Sequence, residues 1–142
     1  MRKIVVLLTV VVAAAAVLVG GGPALARVPQ QQVILTGEQE VPDPGDPNGR
    51  GQFSWSLDGQ RLCYLLSVKR IGTAAAAHIH RGRVGVAGPV RVTLAAPAPR
   101  ASAGCVDLSA TLADKLRDYP RRFYVNVHNA KYPAGALRGQ LT

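Results

Sequence analysis

The clearest structural signal in this chain is the stretch GQFSWSLDG, residues 51–59. Its three large apolar residues fall at every second position, which is the period of a strand that buries one face. The Asp58-Gly59 pair at its end is typical of a two-residue hairpin turn, because glycine readily adopts the positive φ that such turns need. Alternation resumes over residues 62–68. The stretch therefore predicts a β-hairpin with one face in the core.

Shorter alternating runs on both sides of this hairpin predict further strands. They lie at residues 33–36, 77–80, 90–94, 123–128 and 137–141. The small residues at 74–77 have high helix propensity, which favours a brief helical turn before the second of these strands. The alanine- and proline-rich segment at 95–103 is predicted to be a loop.

One segment has the period of a helix. Leucines recur every four residues from Leu108 to Leu116, and this spacing places them on one helical face. Either Asp107 or Ser109 can cap the start, and Pro120 ends the helix. Many short strands, frequent turns and one short helix predict an all-β fold, an antiparallel sandwich or barrel.

The amino-terminal segment has the three parts of a secretory signal peptide. A cationic start at residues 2–3 precedes an apolar run over 4–19 and an Ala-Leu-Ala sequence ending at Ala26. The alternative is a retained membrane anchor, because the apolar run approaches the length of a spanning helix. We predict a signal peptide over 1–26 and a mature domain over 27–142. That domain would be secreted or held in the periplasm or cell envelope, with no stable membrane span after cleavage.

The chain is basic, and its charge is spread along the sequence. The formal net charge of +9 falls to +7 when Arg2 and Lys3 are removed with the signal segment. A positive field attracts anionic surfaces and steers small anions. No basic run is interleaved with stacking aromatics, so a nucleic-acid partner is not predicted.

The two cysteines, Cys63 and Cys105, predict one disulfide in an exported protein. A bridge that closes a loop of about 40 residues would contribute roughly 3 to 4 kcal/mol in the chain-entropy model. The alternative is a pair of buried free thiols.

The three histidines of the chain lie in two predicted strands. Alternation places His78 and His80 on one face of the first strand, and Tyr124, Asn126 and His128 on one face of the second. If the apolar faces of both strands point inward, the three imidazoles converge on one outer face. This arrangement predicts a metal site, whereas a single histidine is more often a hydrogen-bonded surface or packing residue.

Copper is the metal predicted for such a site. Imidazole nitrogen suits copper, and divalent copper stands near the top of the Irving–Williams order. Zinc is the second choice, because three histidines and a water molecule also form a catalytic zinc site.

Four acidic residues lie in the turn-rich segment that follows the first strand. They are Glu38, Glu40, Asp43 and Asp46. Prolines interrupt them and no calcium-loop spacing is present, so they are predicted to be solvated loop charges.

Several motifs of the chain resemble the chordin-type (CHRD) domain. They are LTGEQEVP at 35–42, HIHRG at 78–82 with GPV at 88–90, and YVNVH at 124–128 with PAGALRGQL at 133–141. Their order is also similar, and the resemblance runs from about residue 33 to residue 142. It implies a secreted domain but no particular reaction.

A more distant similarity is to the copper/zinc superoxide dismutases. His78 and His80 resemble their early His-x-His pair, His128 resembles a late copper ligand, and Arg138 resembles the arginine that guides the anion. The similarity implies an eight-stranded Greek-key β-barrel or sandwich, a disulfide, and a small anion such as superoxide as substrate. The chain has no fourth histidine, so the bridging ligand and zinc site of those enzymes are absent. An arginine at the rim or in a strand-end salt bridge is the other interpretation of Arg138.

Two functions therefore remain open from sequence. The first is a secreted copper-binding protein, with or without superoxide dismutase-like redox activity. The second is a non-catalytic extracellular binding or adhesion module with structural histidines. No catalytic triad or paired-carboxylate motif supports hydrolysis.

Overall fold

The alternating segments form eight strands in a computed structural model that describes residues 31–142. The strands are β1 (Gln31–Thr36), β2 (Arg50–Asp58), β3 (Arg61–Lys69), β4 (Ala74–Arg81), β5 (Val90–Leu94), β6 (Ala101–Asp107), β7 (Phe123–Asn129) and β8 (Leu137–Gln140). One helix, α1 (Ala110–Asp118), and two 3₁₀ turns, Gly37–Gln39 and Pro120–Arg122, complete the elements. The predicted signal peptide, 1–26, lies outside the described residues.

The strands pair in one antiparallel sheet in the order β5-β4-β7-β8-β1-β2-β3-β6. The pairings β3–β6 and β4–β7 join strands that are not consecutive in the chain, which is the Greek-key pattern. The sheet curls into a nearly closed barrel, and its two edge strands, β5 and β6, are consecutive in sequence. The prediction of an antiparallel Greek-key β-barrel or sandwich with one short helix is confirmed.

The inward face of the barrel is a single apolar core. Its fully buried side chains come from every strand except β5 and β6, together with α1 and the carboxyl end. They include Leu35, Phe53, Leu62, Leu66, Ile79, Leu116, Val125, Val127, Leu137 and Leu141. Burial of aliphatic and aromatic side chains at alternate positions is the main source of stability in such a sheet.

The β2–β3 hairpin is confirmed, with the turn shifted by one residue from its predicted place. Asp58 pairs with Arg61, so Gly59 and Gln60 are the turn residues. Gly59 has φ +55°, the left-handed conformation that favours glycine at this position.

Two local predictions are wrong, and sheet pairing is the reason for both. The alanines at 74–77 belong to β4, where Ala77 pairs with Val127 of β7, so helix propensity is overridden. Residues 101–103 were expected in a loop but begin β6, which pairs with β3 from Ala101 opposite Ser67. Backbone hydrogen bonds form this ladder, so small side chains do not prevent it.

Helix α1 follows the predicted leucine spacing but starts later than the first leucine. Ser109 is the cap, and its hydroxyl accepts a hydrogen bond from the Leu112 amide at 3.3 Å. Leu116 is buried against the core, and Pro120 opens the following 3₁₀ turn. Over residues 31–142, no helix combines the length and the apolar character that crossing a membrane requires.

Cys63 and Cys105 form a disulfide between β3 and β6, where they are directly opposed in the ladder. The bridge joins residues 42 apart in sequence and fastens an edge strand to the barrel. It therefore stabilises the part of the sheet that has a neighbour on one side only.

Replacing both cysteines, Cys63→Ser with Cys105→Ser, should lower the free energy of unfolding by about 3 to 4 kcal/mol. Without the bridge the unfolded chain has more conformational entropy, which favours unfolding. Urea unfolding with and without a thiol reductant measures this. Reduced wild-type protein should match the double variant. A loss of less than about 1 kcal/mol would mean that the β3–β6 ladder holds without the bridge.

Candidate metal centre

The three histidines lie together on the outer face of β4 and β7. Ile79 and Val125 are directly opposed and fully buried, and this pairing sets the register of the two strands. Successive side chains alternate, so the neighbours of these core residues face outward. His78 is opposite Asn126, and His128 lies one outward position further along β7. The structure thus brings together the histidines that the sequence singled out.

The imidazole nitrogens are close enough to bind one ion. Nδ1 of His78 is 3.2 Å from Nε2 of His128, and one nitrogen from each of the three rings lies within 4.8 Å of the others. An ion bound at 2.0–2.1 Å holds two imidazole nitrogens about 3 to 4 Å apart. A side-chain adjustment of about 1 Å or less therefore closes the set around an ion. All three side chains are half-buried.

Backbone carbonyls orient two of the rings for this purpose. Nδ1 of His80 lies 2.8 Å from the Gly88 carbonyl oxygen, and Nδ1 of His128 lies 3.0 Å from that of Pro133. A carbonyl only accepts, so in the neutral rings each Nδ1 carries the proton and each Nε2 keeps its lone pair; at His128 this holds with the Asn126 amide turned so that its NH₂ group, rather than Oδ1, faces Nε2. Nε2 of His80 is buried and has no hydrogen-bond partner among residues 31–142, as expected of a nitrogen kept for a ligand.

Burial lowers the pKa of His78 and the pKa of His80 below the usual value of 6.5. The proximity of the other imidazoles lowers both values further, while the Gly88 carbonyl acts in the opposite direction on His80. Both rings are therefore neutral at pH 7, and neutral imidazole is the form that binds metal.

Tyr124 supports His80 from the neighbouring strand. The two rings are stacked, with centroids 4.9 Å apart and an interplanar angle of 10°. The Tyr124 hydroxyl accepts a hydrogen bond from the Gly88 amide at 3.2 Å. A Cβ atom at Gly88 would clash with the Arg81 backbone carbonyl, so this close approach requires glycine. The same backbone residue thus holds both aromatic rings.

Arg138 is buried, with 2% of its surface exposed. Its guanidinium carbon lies 3.5 Å from the Tyr124 ring centroid, and Nη2 donates to the carbonyls of Arg83 at 2.8 Å and Val86 at 3.0 Å. An exposed rim position is therefore wrong, and Arg138 forms no salt bridge with any residue in 31–142. Its anion-guiding role stays a prediction.

Glu40 is the polar residue of this region that sequence analysis missed. It is 6% exposed, and Asp46 is 9% exposed, so the prediction of solvated loop charges is wrong for both. The Asp46 carboxylate accepts hydrogen bonds from the amides of Asn48 and Gly49, each at 3.0 Å, and thereby closes its own loop. No local pattern distinguishes Glu40 from the exposed Glu38, because the residues that surround Glu40, Arg138 and Asn126, are distant in sequence.

Burial raises the pKa of Glu40 from 4.5 to about 7, against the attraction of Arg138 and a hydrogen bond to Asn126. Asn126, itself 2% exposed, also places its Oδ1 3.1 Å from Nε2 of His128. Asn126 is thus a neighbour of both Glu40 and the histidine cluster. Such outer groups orient the rings that bind a metal.

The comparisons with known proteins give one match. The family model described as the CHRD domain matches residues 31–141. No curated protein and no solved structure matches the chain.

Glu40→Gln should alter the dependence of stability on pH in metal-free protein. The folded state binds the Glu40 proton more tightly than the unfolded state does, so its contribution to the free energy of unfolding falls as pH rises from 4.5 to about 7. The variant should therefore gain about 1 to 3 kcal/mol on wild type between pH 4.5 and pH 8.

Urea unfolding of both proteins in the presence of a chelator, at several pH values, measures this difference. His78 and His80 have lowered pKa values and act with the opposite sign below pH 6.5, but they contribute equally to both proteins and cancel. Glu38→Gln, on the exposed side of the same turn, is the control and should follow wild type. Parallel curves for Glu40→Gln and wild type would contradict the prediction.

Proposed function

The chain belongs to the CHRD domain family, and we propose that it is an extracellular protein that binds one copper ion through His78, His80 and His128. CHRD domains occur in extracellular proteins, and the Cys63–Cys105 disulfide is consistent with that location. The secreted, periplasmic or envelope location predicted from the amino-terminal segment is part of the proposal.

A single observation carries the metal proposal. Three imidazoles on two paired strands present nitrogens within 4.8 Å of one another. Two of these nitrogens, on His80 and His128, have lone pairs because the opposite ring nitrogen donates to a carbonyl. Structural histidines need no such convergence, since each could be satisfied separately.

The donor set favours copper over zinc. Three imidazoles without thiolate or carboxylate match the nitrogen preference of copper, and divalent copper binds such sets more tightly than zinc does. Zinc is the second candidate, because three histidines with an open position also suit zinc. When bound, copper would supply one-electron redox chemistry, and superoxide dismutase-like activity on a small anion such as superoxide is the reaction we propose.

The residues around the cluster have distinct roles in this proposal. Tyr124 holds the His80 ring by stacking, and Asn126 contacts His128. Arg138 places a positive charge against Tyr124 beneath the site, which raises the potential that an approaching anion meets. The net positive charge of the chain acts in the same direction.

The non-catalytic alternative also has an observation in its favour. The direct contact of His78 with His128 and the stacking of His80 on Tyr124 are interactions that packing histidines make. In that case the cluster stabilises the β4–β7 pair, and the domain acts as a binding or adhesion module.

Titration of chelator-treated protein with Cu²⁺, followed by calorimetry and electron paramagnetic resonance, should give one tight site with nitrogen coordination. His78→Ala, His80→Ala and His128→Ala should each weaken binding about a hundredfold or more, since even groups that only orient a ligand contribute 10–100-fold. Affinity should fall as pH drops through the lowered pKa values of His78 and His80, because protons compete with the ion.

Gln60→Ala, at the exposed turn of the β2–β3 hairpin, is the control and should bind as wild type does. Undiminished Cu²⁺ binding in the triple histidine variant, or none in wild type, would reject the metal site in favour of the binding module.

Redox activity has a separate test. The copper-loaded protein should consume superoxide faster than the same amount of free copper held by a weak buffer ligand, and His80→Ala should lose this. Arg138→Gln should lower the rate about tenfold at low ionic strength while copper stays bound, and Arg138→Lys should retain most of it. A copper-loaded protein without activity would leave a copper-binding protein that is not an enzyme.

A further inference from the structure

Six cations cluster on one face beside the histidine strands. This cationic face consists of Arg81, Arg83, Arg91, Lys115, Arg121 and Arg122, all exposed. They line three adjoining surface depressions of about 270, 440 and 540 Å³. Arg81 and Arg91 line both the 270 Å³ and the 440 Å³ depression, and Arg83 and Arg122 line both the 440 Å³ and the 540 Å³ depression. The three depressions therefore form one continuous face.

No carboxylate in the described part of the chain, residues 31–142, forms an ion pair with these cations. The two ion pairs over residues 31–142 are Arg61–Asp107 and Arg117–Asp114, and neither involves the cationic face. Asp118 is the acid that lines one of the three depressions. Unpaired like charges at this density repel one another, and an anionic partner relieves the repulsion.

Large apolar side chains stand exposed on the same face. Val84 is 78% exposed, the largest value for a big apolar residue in the described part of the chain, and Val86 and Tyr119 are 53% and 52% exposed. Val84 and Tyr119 line the same depression as Arg83 and Arg122. Cationic and apolar groups are therefore interleaved rather than separated.

The turn that presents Val84 is held firmly. The Val86 amide donates to the Arg83 carbonyl at 3.0 Å, which closes a tight turn, and Gly85 has the positive φ of 74° that such a turn needs. Buried Arg138 donates to the carbonyls of both Arg83 and Val86. The exposed valine is thus fixed at the tip of an ordered turn, so little chain entropy is lost when it contacts a partner.

We propose that the cationic face, with Val84 and Tyr119, docks on the surface of an anionic phospholipid bilayer. Arginine and lysine side chains match phosphate headgroups, and each contributes about a fivefold gain in partitioning near an anionic leaflet. Valine and tyrosine gain from contact with the interfacial region below the headgroups, where tyrosine is enriched. A soluble polyanion would neutralise the cations but would provide no apolar contact for Val84.

Sedimentation with vesicles tests this surface independently of the metal centre. Protein isolated from the exported fraction is mixed with vesicles of phosphatidylcholine containing 30% phosphatidylglycerol, or with phosphatidylcholine alone. We expect binding to the anionic vesicles, weakened by salt, and about tenfold or more weaker binding to neutral ones. Every variant keeps the same amino terminus, so residues 1–30 contribute equally throughout.

Two variants separate charge from apolar contact, each with a matched control. Arg83→Glu with Arg122→Glu should reduce binding to anionic vesicles about tenfold or more, whereas Lys69→Glu with Arg100→Glu, the same charge change elsewhere on the surface, should reduce it less. Val84→Ser should reduce binding severalfold, while Ile34→Ser, which alters a 59% exposed residue of β1, should not.

Three outcomes would overturn the proposal. The first is sedimentation of wild type equally with neutral and anionic vesicles, or with neither. The second is an equal loss of binding in the two charge-reversed proteins, which would indicate a diffuse electrostatic effect. The third is binding of inorganic polyphosphate as tight as that of the vesicles together with unchanged vesicle binding by Val84→Ser, which would assign the face to a soluble polyanion. Chelator treatment should not affect any of these results.

Discussion

The pairing of β4 with β7 is the constraint on which the rest of the outer face depends. Ile79 opposite Val125 places two fully buried aliphatic side chains in the core. Every histidine then lies at an outward position, because side chains alternate along a strand. A slip of one residue would exchange the two faces of the strand. Imidazoles would then be buried in the apolar core and aliphatic side chains exposed to water, and both changes destabilise the fold. The metal proposal therefore rests on the same packing as the barrel.

A buried cation connects the two proposed surfaces. Arg138 lies against Tyr124, which stacks on His80, and it also donates to the turn that carries Val84. Burial without a salt bridge is costly for a guanidinium, and here a π face and two carbonyls offset part of that cost. A change at Arg138 should accordingly be felt at both the histidine cluster and the cationic face. The lysine variant keeps the positive charge of Arg138 and therefore separates the effect of that charge from the effect of the hydrogen bonds to the turn.

The parts of the fold that sequence predicted correctly are those in which local pattern and final environment agree. The β2–β3 hairpin has apolar residues at every second position and a glycine where φ is positive. The alanines of β4 and the small residues at the start of β6 carry no such pattern, and their strand structure comes from hydrogen bonds to β7 and β3. Glu40 has the composition of a loop charge, yet residues far away in sequence, such as Arg138 and Asn126, surround it.

Sequence by itself determined the strand period, the outward phase of the three histidines and the two cysteines available for a bridge, because these depend on residues within a few positions of one another. Only the tertiary structure decided that ring nitrogens of His78 and His128, which are fifty residues apart in sequence, lie 3.2 Å from each other. It also decided that Arg138 is buried and that six scattered cations share one face with Val84. These outcomes require the Greek-key pairing of distant strands, which no local pattern encodes.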